Sequence, residues 1–353
     1  MLKYINQFLS LVYLFIFKMP WRKVWRLYNK KSENVIWIYP CFPRQMAEYL
    51  GRSIIFNEFG FVWSMAENNI PFRIVLGRNI GKVHDSKIFY HASHEFMNIF
   101  KFIEYPEFLI GTIRALENQR NEMFLNSEEM AYWENKIYMH KMFSKLEVSQ
   151  PITHCISTKT LADFDKLAYP FILKEIHSQG SKGLHKIENK EQQLERMDYL
   201  LRMGKHQILA QRIVDMTRDM RITIVGNEVI LAYWRINPEK EWRPTSTSRG
   251  SSVDFGNFPE HWRSYFLEIT HRMGLRAAAY DVCWEGDDVK TMPVILEVSP
   301  FFQPNPLLPA HLSHVAYRDY KKIIFTKAPY YKTRVDEYCR VADKKIKLFF
   351  NLN

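Results

Sequence analysis

From Tyr169 to Pro304 the chain is a succession of short apolar runs, and a recurring set of charged residues sits at their ends or alternate positions. Runs of this length bounded by Gly, Pro, Asn and Asp are strand signals, so this stretch is constrained to sheets that present charge at their edges. The order is fixed. Lys174 closes the run Phe171-Ile-Leu-Lys174, and the glycine loop Gln179-Gly-Ser-Lys-Gly183 follows. Then come Asp219-Met-Arg221, Arg235 on the next run, Asp281-Val282, and Glu297-Val-Ser299. Each piece is weak alone. Taken in order they read as a site for a nucleotide triphosphate and a metal.

At 353 residues, 47% of them hydrophobic, the chain is long enough for two or three domains with a sizeable core. The formal charge of +11 is unevenly placed. Residues 1–34 hold seven Lys/Arg against one acid, and residues 318–353 hold ten against four, which leaves the middle near −1. The basic character belongs to the two ends, and a general nucleic-acid interface is not expected. Cys41, Cys155, Cys283 and Cys339 are far apart, and no pair has zinc-ligand or redox spacing. They read as free thiols of a reducing compartment.

Phe8–Phe17 is apolar but much shorter than the ~20 residues a spanning helix needs. Lys18, Arg22, Lys23, Arg26, Lys30 and Lys31 follow it, interleaved with Trp21, Trp25 and Tyr28. A signal peptide places charge before the apolar run and small residues after it, the reverse of this order. Two readings remain open: a helix lying in a membrane interface, or a helix packed on the protein's own core with a solvated basic flank.

The remaining pattern divides the chain further. Val35–Tyr39, Pro71–Leu76 and Lys87–Tyr90 read as strands around a helix at 54–68, which predicts a small parallel α/β domain over 35–125. Ser127-Glu-Glu-Met reads as a capped helix start running to Phe143. From 151 the expected order is helix 159–167, strand 170–175, strand 184–188, helix 191–202, and strands 207–213, 219–225 and 228–235. A helix at 259–273 and strands 278–284 and 294–298 complete it. Gly226-Asn227 predicts a tight hairpin turn. The expected segments are thus 1–34 (basic amphipathic), 35–125, a central lobe 126–210, a C-terminal lobe 211–317, and a basic tail 318–353, whose Lys344–Phe350 stretch reads as a solvated last helix or as lying on the same surface as the N-terminal segment.

Lys174 beside Gly180 and Gly183 suits an anion, because glycines let backbone N–H groups approach phosphate oxygens while the lysine adds a point charge. Asp281 and Glu297 on neighbouring apolar strands would repel each other unless a cation neutralised them, and Mg²⁺ shared with phosphate oxygens is the common solution. Arg221 and Arg235, on the two strands joined by the Gly226-Asn227 turn, would demand an anionic partner if buried. For each of these the bland alternative is a solvated surface charge.

The whole set resembles the ATP-grasp superfamily, and within it the RimK-like and glutathione-synthetase-like carboxylate–amine ligases, from about Ser127 to Pro306. Asn135-Lys136 and Leu173-Lys174 resemble the two phosphate-contacting lysines, and Gly180-Ser181-Lys182-Gly183 the phosphate-covering loop. Leu209-Ala-Gln211-Arg-Ile213 resembles the hinge that reads adenine, with Asp215 as a ribose contact. Asp219-Met-Arg221 and Gly226–Ile230 match the strands that follow. Arg235, Trp242-Arg243 and Arg249-Gly250 resemble the arginines and loop that meet the acyl phosphate. Asp281, Glu297 and Ser299 fall where the metal ligands lie. Three positions depart from the family: Ser299 stands where Asn is usual, Glu175 where Pro is usual, and Arg212 where an acid is often found.

The resemblance implies an α/β (α+β ATP-grasp) fold, in which a small parallel N-terminal domain precedes two lobes that hold ATP between two sheets. It implies ATP and Mg²⁺ as cofactors and an ATP-dependent amide-forming ligase working through an acyl phosphate. The substrates would be a carboxylate and an amine of unassigned identity, in a cell-envelope, glycan or peptide setting. Alternatives are a kinase on the same fold, or a non-catalytic nucleotide-binding protein at a membrane. The expected location is cytoplasmic, peripheral on the inner membrane face. The assembly state is left open, a homodimer being one option.

Overall fold

The computed structural model describes residues 2–40, 49–100, 104–176, 183–237, 244–245 and 250–352. The chain divides into two compact units. The first takes Met1–Met130, Ile224–Ile230 and Pro300–Asn353, and the second takes Ala131–Thr223 and Leu231–Ser299.

The first unit is built on a parallel sheet of β1 (Asn34–Ile38), β2 (Arg73–Leu76), β3 (Lys87–Phe89) and β4 (Glu122–Phe124), in the order β2-β1-β3-β4. Val35, Ile36, Trp37 and Ile38 are all buried, as a strand covered on both faces requires. Helix Ile54–Glu67 is buried around most of its circumference. It packs against the last helix, Tyr330–Phe350, so closely that a Cβ at Gly60 would lie 3.0 Å from the Ala342 Cβ. Glycine at that point permits the approach.

The basic tail 318–353 does hold a last helix, but that helix is buried and not solvated. Val335, Tyr338, Cys339, Ala342 and Ile346 recur at helical spacing and are buried, so this segment is a structural helix of the first unit. The N-terminal segment belongs to the same unit. Ser10 Oγ donates to the Tyr331 carbonyl at 3.4 Å, Lys18 pairs with Asp336 at 2.7 Å, and Lys23 with Glu67 at 2.7 Å. No helix among the described residues is long and apolar enough to cross a membrane.

The helix expected from Ser127 to Phe143 is two pieces, Ser127–Met130 and Lys136–Lys145, interrupted where Glu134 takes φ 52°. Its first cap is Asn126, not Ser127. The Glu129 N–H donates to Asn126 Oδ1 at 2.9 Å, and the Asn126 N–H donates to Glu129 Oε2 at 2.9 Å. This is the reciprocal arrangement of a capping box, shifted by one residue.

The second unit holds two antiparallel sheets. β5 (Thr153–Ser157), β6 (Phe171–Glu175), β7 (Leu184–Ile187) and β8 (Gln207–Arg212) form one, in the order β5-β8-β6-β7. Phe171, Leu173, Ile208 and Ala210 from this sheet pack with Leu161, Phe164 and Leu200. Leu200 comes from helix Lys190–Arg202, whose Asn189 cap accepts from the Gln192 N–H at 3.0 Å. The helix expected at 159–167 is a short 3-10 segment, Thr158–Asp163.

The other sheet contains β9 (Arg218–Val225), β10 (Glu228–Ile236), β11 (Ser252–Asp254), β12 (Ala277–Cys283) and β13 (Val294–Ser299), in the order β11-β10-β9-β12-β13. Gly226 turns the β9–β10 hairpin at φ 59°, a left-handed conformation that glycine adopts without steric cost. The helix expected at 259–273 is a 3-10 turn, Glu260–Trp262, running into α-helix Arg263–Arg272.

Candidate functional site

In the second unit, residues from both sheets line one open cleft with a cavity volume of about 90 Å³. Lys174, Gln211, Asp219, Arg235, Asp281 and Glu297 line it, with Ile172, Leu184, Val214, Met216 and Leu296 as apolar walls. Residues placed far apart in sequence therefore converge on one space.

Sheet register explains the convergence of the carboxylates. In β12 and β13, Asp281 lies directly opposite Glu297 and Ala279 opposite Ser299. Residues opposite each other on paired strands point to the same face, so Asp281 and Glu297 share the side that lines the cleft. Ser299 is one cross-strand pair further along the same face and is not among the lining residues. Lys136 opens helix Lys136–Lys145, where the Tyr138 N–H donates to the capping Asn135 side chain at 3.1 Å. The helix docks on β13, and Lys136 Nζ, itself buried, lies 3.8 Å from Glu297 Oε1.

The arginines do find an anion, and it is the protein's own. Arg235 Nε donates to Asp219 Oδ1 at 2.8 Å, and its Nη2 also pairs with Asp219 Oδ2. The same Nη2 reaches Asp281 Oδ2 at 3.0 Å, while Arg221 Nε lies 2.6 Å from Asp281 Oδ1. Burial acts to raise the Asp281 carboxyl, but the Arg221 and Arg235 guanidinium groups hold it below the usual carboxylate range. Asp219 moves the other way. Burial, with Asp281 nearby, raises it against the pull of Arg235.

Burial pushes Lys174 down from 10.5 to about 8; Glu297 opposes this and Lys136 reinforces it. The site thus gathers four cations, Lys136, Lys174, Arg221 and Arg235, around three carboxylates, Asp219, Asp281 and Glu297. That imbalance favours an anionic ligand. Behind it, His140 is buried and pushed down to about 3 by desolvation and then by Lys174, so it is neutral at pH 7.

The Lys174 shift gives a testable consequence. The folded state binds its proton less tightly than the unfolded state, so the charged lysine destabilises the fold fully below about 8 and ceases to do so by about 10.5. Lys174→Met is expected to raise the Tm at pH 7, with a gain that shrinks as pH rises through that window. Thermal melts across the range check it, and a pH-independent gain would contradict it.

The segment after β8 is held by the turn that starts at Glu285. Arg212 pairs with Glu285 through both guanidinium arms, at 3.2 and 2.7 Å. The Asp215 N–H donates to Glu285 Oε1 at 3.1 Å, and the Gly286 N–H to the Asp215 carbonyl at 2.8 Å. Arg212, Val214 and Met216 line the cleft, whereas Ile213 and Asp215 do not. Gln211 lines it too, with its amide donating to Thr153 Oγ1 at 2.8 Å. Glu175, which stands at the position after Lys174, pairs with Lys205 at 3.3 Å at the sheet surface.

Gly183 follows directly on Gly180, Ser181 and Lys182, which lie outside the described residues, as do Arg243 and Arg249. Asp219, singled out in the Asp-x-Arg motif, is the partner of Arg235. One further residue, Glu285, carries weight that the sequence did not signal.

Divalent cations of the Mg²⁺ type take oxygen ligands, commonly one or two carboxylates together with substrate phosphates. Asp281 and Glu297 meet that description as opposed carboxylates on β12 and β13, with Asp281 also held by Arg221 and Arg235. Among the described residues no cluster of three or more His, Cys, Asp or Glu could hold a metal by itself. Two opposed carboxylates are a donor set that fits a cation sharing phosphate oxygens.

Residues 134–300, a little under half of the chain, match the family model of the RimK-like ATP-grasp domain. No curated protein matches the chain. Among solved structures, a RimK domain ATP-grasp protein from Sphaerobacter thermophilus is 11% identical, with a TM-score of 0.52 over 86% of this chain and 99% of its own. D-alanine–D-alanine ligase from Bacillus anthracis, solved with ATP, is 11% identical, with a TM-score of 0.52 over 89% and 99%. The ATP-grasp ligase PsnB, solved with a phosphomimetic variant of its minimal precursor, Mg and ADP, is 11% identical, with a TM-score of 0.53 over 91% and 99%. The mixed α/β fold of this chain is that of the ATP-grasp proteins.

Proposed function

We propose that the protein is an ATP-dependent carboxylate–amine ligase that activates its carboxylate as an acyl phosphate. The observation that carries this reading is the cleft lined by Lys174, Arg235, Asp281 and Glu297, with Lys136 3.8 Å from Glu297 and Arg221 2.6 Å from Asp281. The match of residues 134–300 to the RimK-like ATP-grasp domain supports it.

In this reading Lys136 and Lys174 hold phosphate oxygens of ATP, and the substrate carboxylate attacks the γ-phosphorus. The β,γ-bridging bond breaks, ADP leaves, and an acyl phosphate forms. Arg235 and Arg221 face the charge that builds on the transferred phosphoryl group. An amine then attacks the acyl carbon, its proton is lost, and inorganic phosphate departs. Asp281 and Glu297 would hold Mg²⁺, which neutralises phosphate charge when bound. His140, being neutral, adds no competing cation behind the lysines. No side-chain nucleophile is needed. The substrate class we infer is a peptide, glycan or cell-envelope component met at the inner face of a membrane, and the basic N-terminal segment supports that setting.

The test supplies the purified protein with ATP, Mg²⁺ and a panel of amino acids, peptides and envelope precursors, with hydroxylamine as the trapping amine. A ligase yields ADP and an acyl hydroxamate. ADP with a stable phosphorylated product and no hydroxamate would make it a kinase. Saturable ATP binding without turnover of any panel member would support the non-catalytic alternative.

A further inference from the structure

We propose that the N-terminal segment is a docking surface for an anionic lipid bilayer, lying on the membrane without crossing it. The helix Leu2–Val12 is inside out for a surface helix. Its buried edge is polar: Asn6, Gln7 and Ser10 are 5%, 9% and 0% exposed. That edge is bonded to the protein itself. Gln7 Nε2 donates to the Leu50 and Arg52 carbonyls at 2.8 and 3.1 Å, Arg334 Nη1 donates to Gln7 Oε1 at 3.0 Å, and Asn6 Nδ2 donates to the Lys321 carbonyl.

The outward side is apolar. Tyr4 and Phe8, four residues apart on one face, are 78% and 63% exposed. Ile16 and Phe17 on the following π turn, and Trp25 on helix Trp21–Leu27, are 66%, 72% and 74% exposed. A surface helix ordinarily buries its apolar stripe and wets its polar one. The reversal marks a face meant for an apolar partner.

Charge decides which partner. Arg22, Arg26, Lys30 and Lys31 are exposed, and none has an acidic partner among the described residues, while Glu33 is the single acid of the first 34 residues. A second copy placed on this patch by a two-fold axis would set like charges against each other. A bilayer of anionic lipids offers apolar depth for the aromatic side chains and negative headgroups for the cations, with tryptophans at the boundary.

The experiment is co-sedimentation of the full chain with phosphatidylcholine vesicles, with and without phosphatidylserine. Because the polar edge is part of the unit's interior, exposed side chains are substituted and the segment is not deleted. The wild type is expected to pellet with phosphatidylserine vesicles and less so at high salt. Phe17→Ser/Trp25→Ser and Arg22→Glu/Arg26→Glu are each expected to weaken binding by at least about tenfold. Far-UV circular dichroism and Tm should be unchanged. Three results would overturn the proposal. One is no pelleting, and another is pelleting of the aromatic variant equal to the wild type. The third is a vesicle-free dimer that the aromatic substitutions convert to monomer without any lipid binding.

Discussion

Glu297→Gln is expected to lower ADP formation by at least about a hundredfold, a loss comparable to removing one group that stabilises transition-state charge. Glu297 lines the cleft opposite Asp281 and lies 3.8 Å from Lys136. Its amide replacement keeps the shape and removes the charge that a metal and two lysines would share. The side chain is 44% exposed, so the fold should tolerate the change and the Tm should stay close to the wild type. Nucleotide binding and turnover measured as a function of Mg²⁺ separate the possibilities. A variant that binds ATP and releases ADP like the wild type, with the same Mg²⁺ dependence, would remove Glu297 from the metal assignment.

The largest expected effect on stability comes from Asp219. It is 1% exposed and bonds through both carboxylate oxygens to Arg235, which is 8% exposed. Removing one member of a buried ion pair leaves an uncompensated charge, at a cost of about 3–5 kcal/mol. Asp219→Ala should therefore lower the Tm of the second unit by roughly 10 °C or more. Arg235 retains Asp281 at 3.0 Å, which limits the loss and draws that carboxylate away from other partners. Arg235→Met in the same background removes the stranded charge and should recover more than half of the lost stability. Additive losses in this double-mutant cycle would show that the pair is not coupled.

Much of the cleft was legible before the structure. Lys174 stood out because a run of three apolar residues leads into a lysine, and Gly226-Asn227 marked its hairpin through a requirement for positive φ. Asp281 and Glu297 could be paired because an acid inside an apolar strand needs a reason to be there. Other features depend on contacts that no local pattern reveals. Glu285 looks like an ordinary turn residue until β8 and the turn are brought together, and only then is it the partner of Arg212. The final helix was misjudged by its charge. Its lysines dominate a count, but its apolar residues recur at helical spacing, and even Lys345 is 3% exposed with its ammonium 4.4 Å from the Phe302 ring. Long side chains cover apolar surface while counting as charge, which hides a packing face from composition.

The joining of the first and last helices has a consequence for biosynthesis. Lys18 pairs with Asp336 at 2.7 Å, and Gln7 accepts from Arg334 at 3.0 Å, so the opening segment waits for partners made more than 300 residues later. The second unit lies between these segments in the chain and is synthesised before the last helix. The first unit cannot close until that helix has been made, so its assembly depends on contacts of very long sequence separation, which are slow to form.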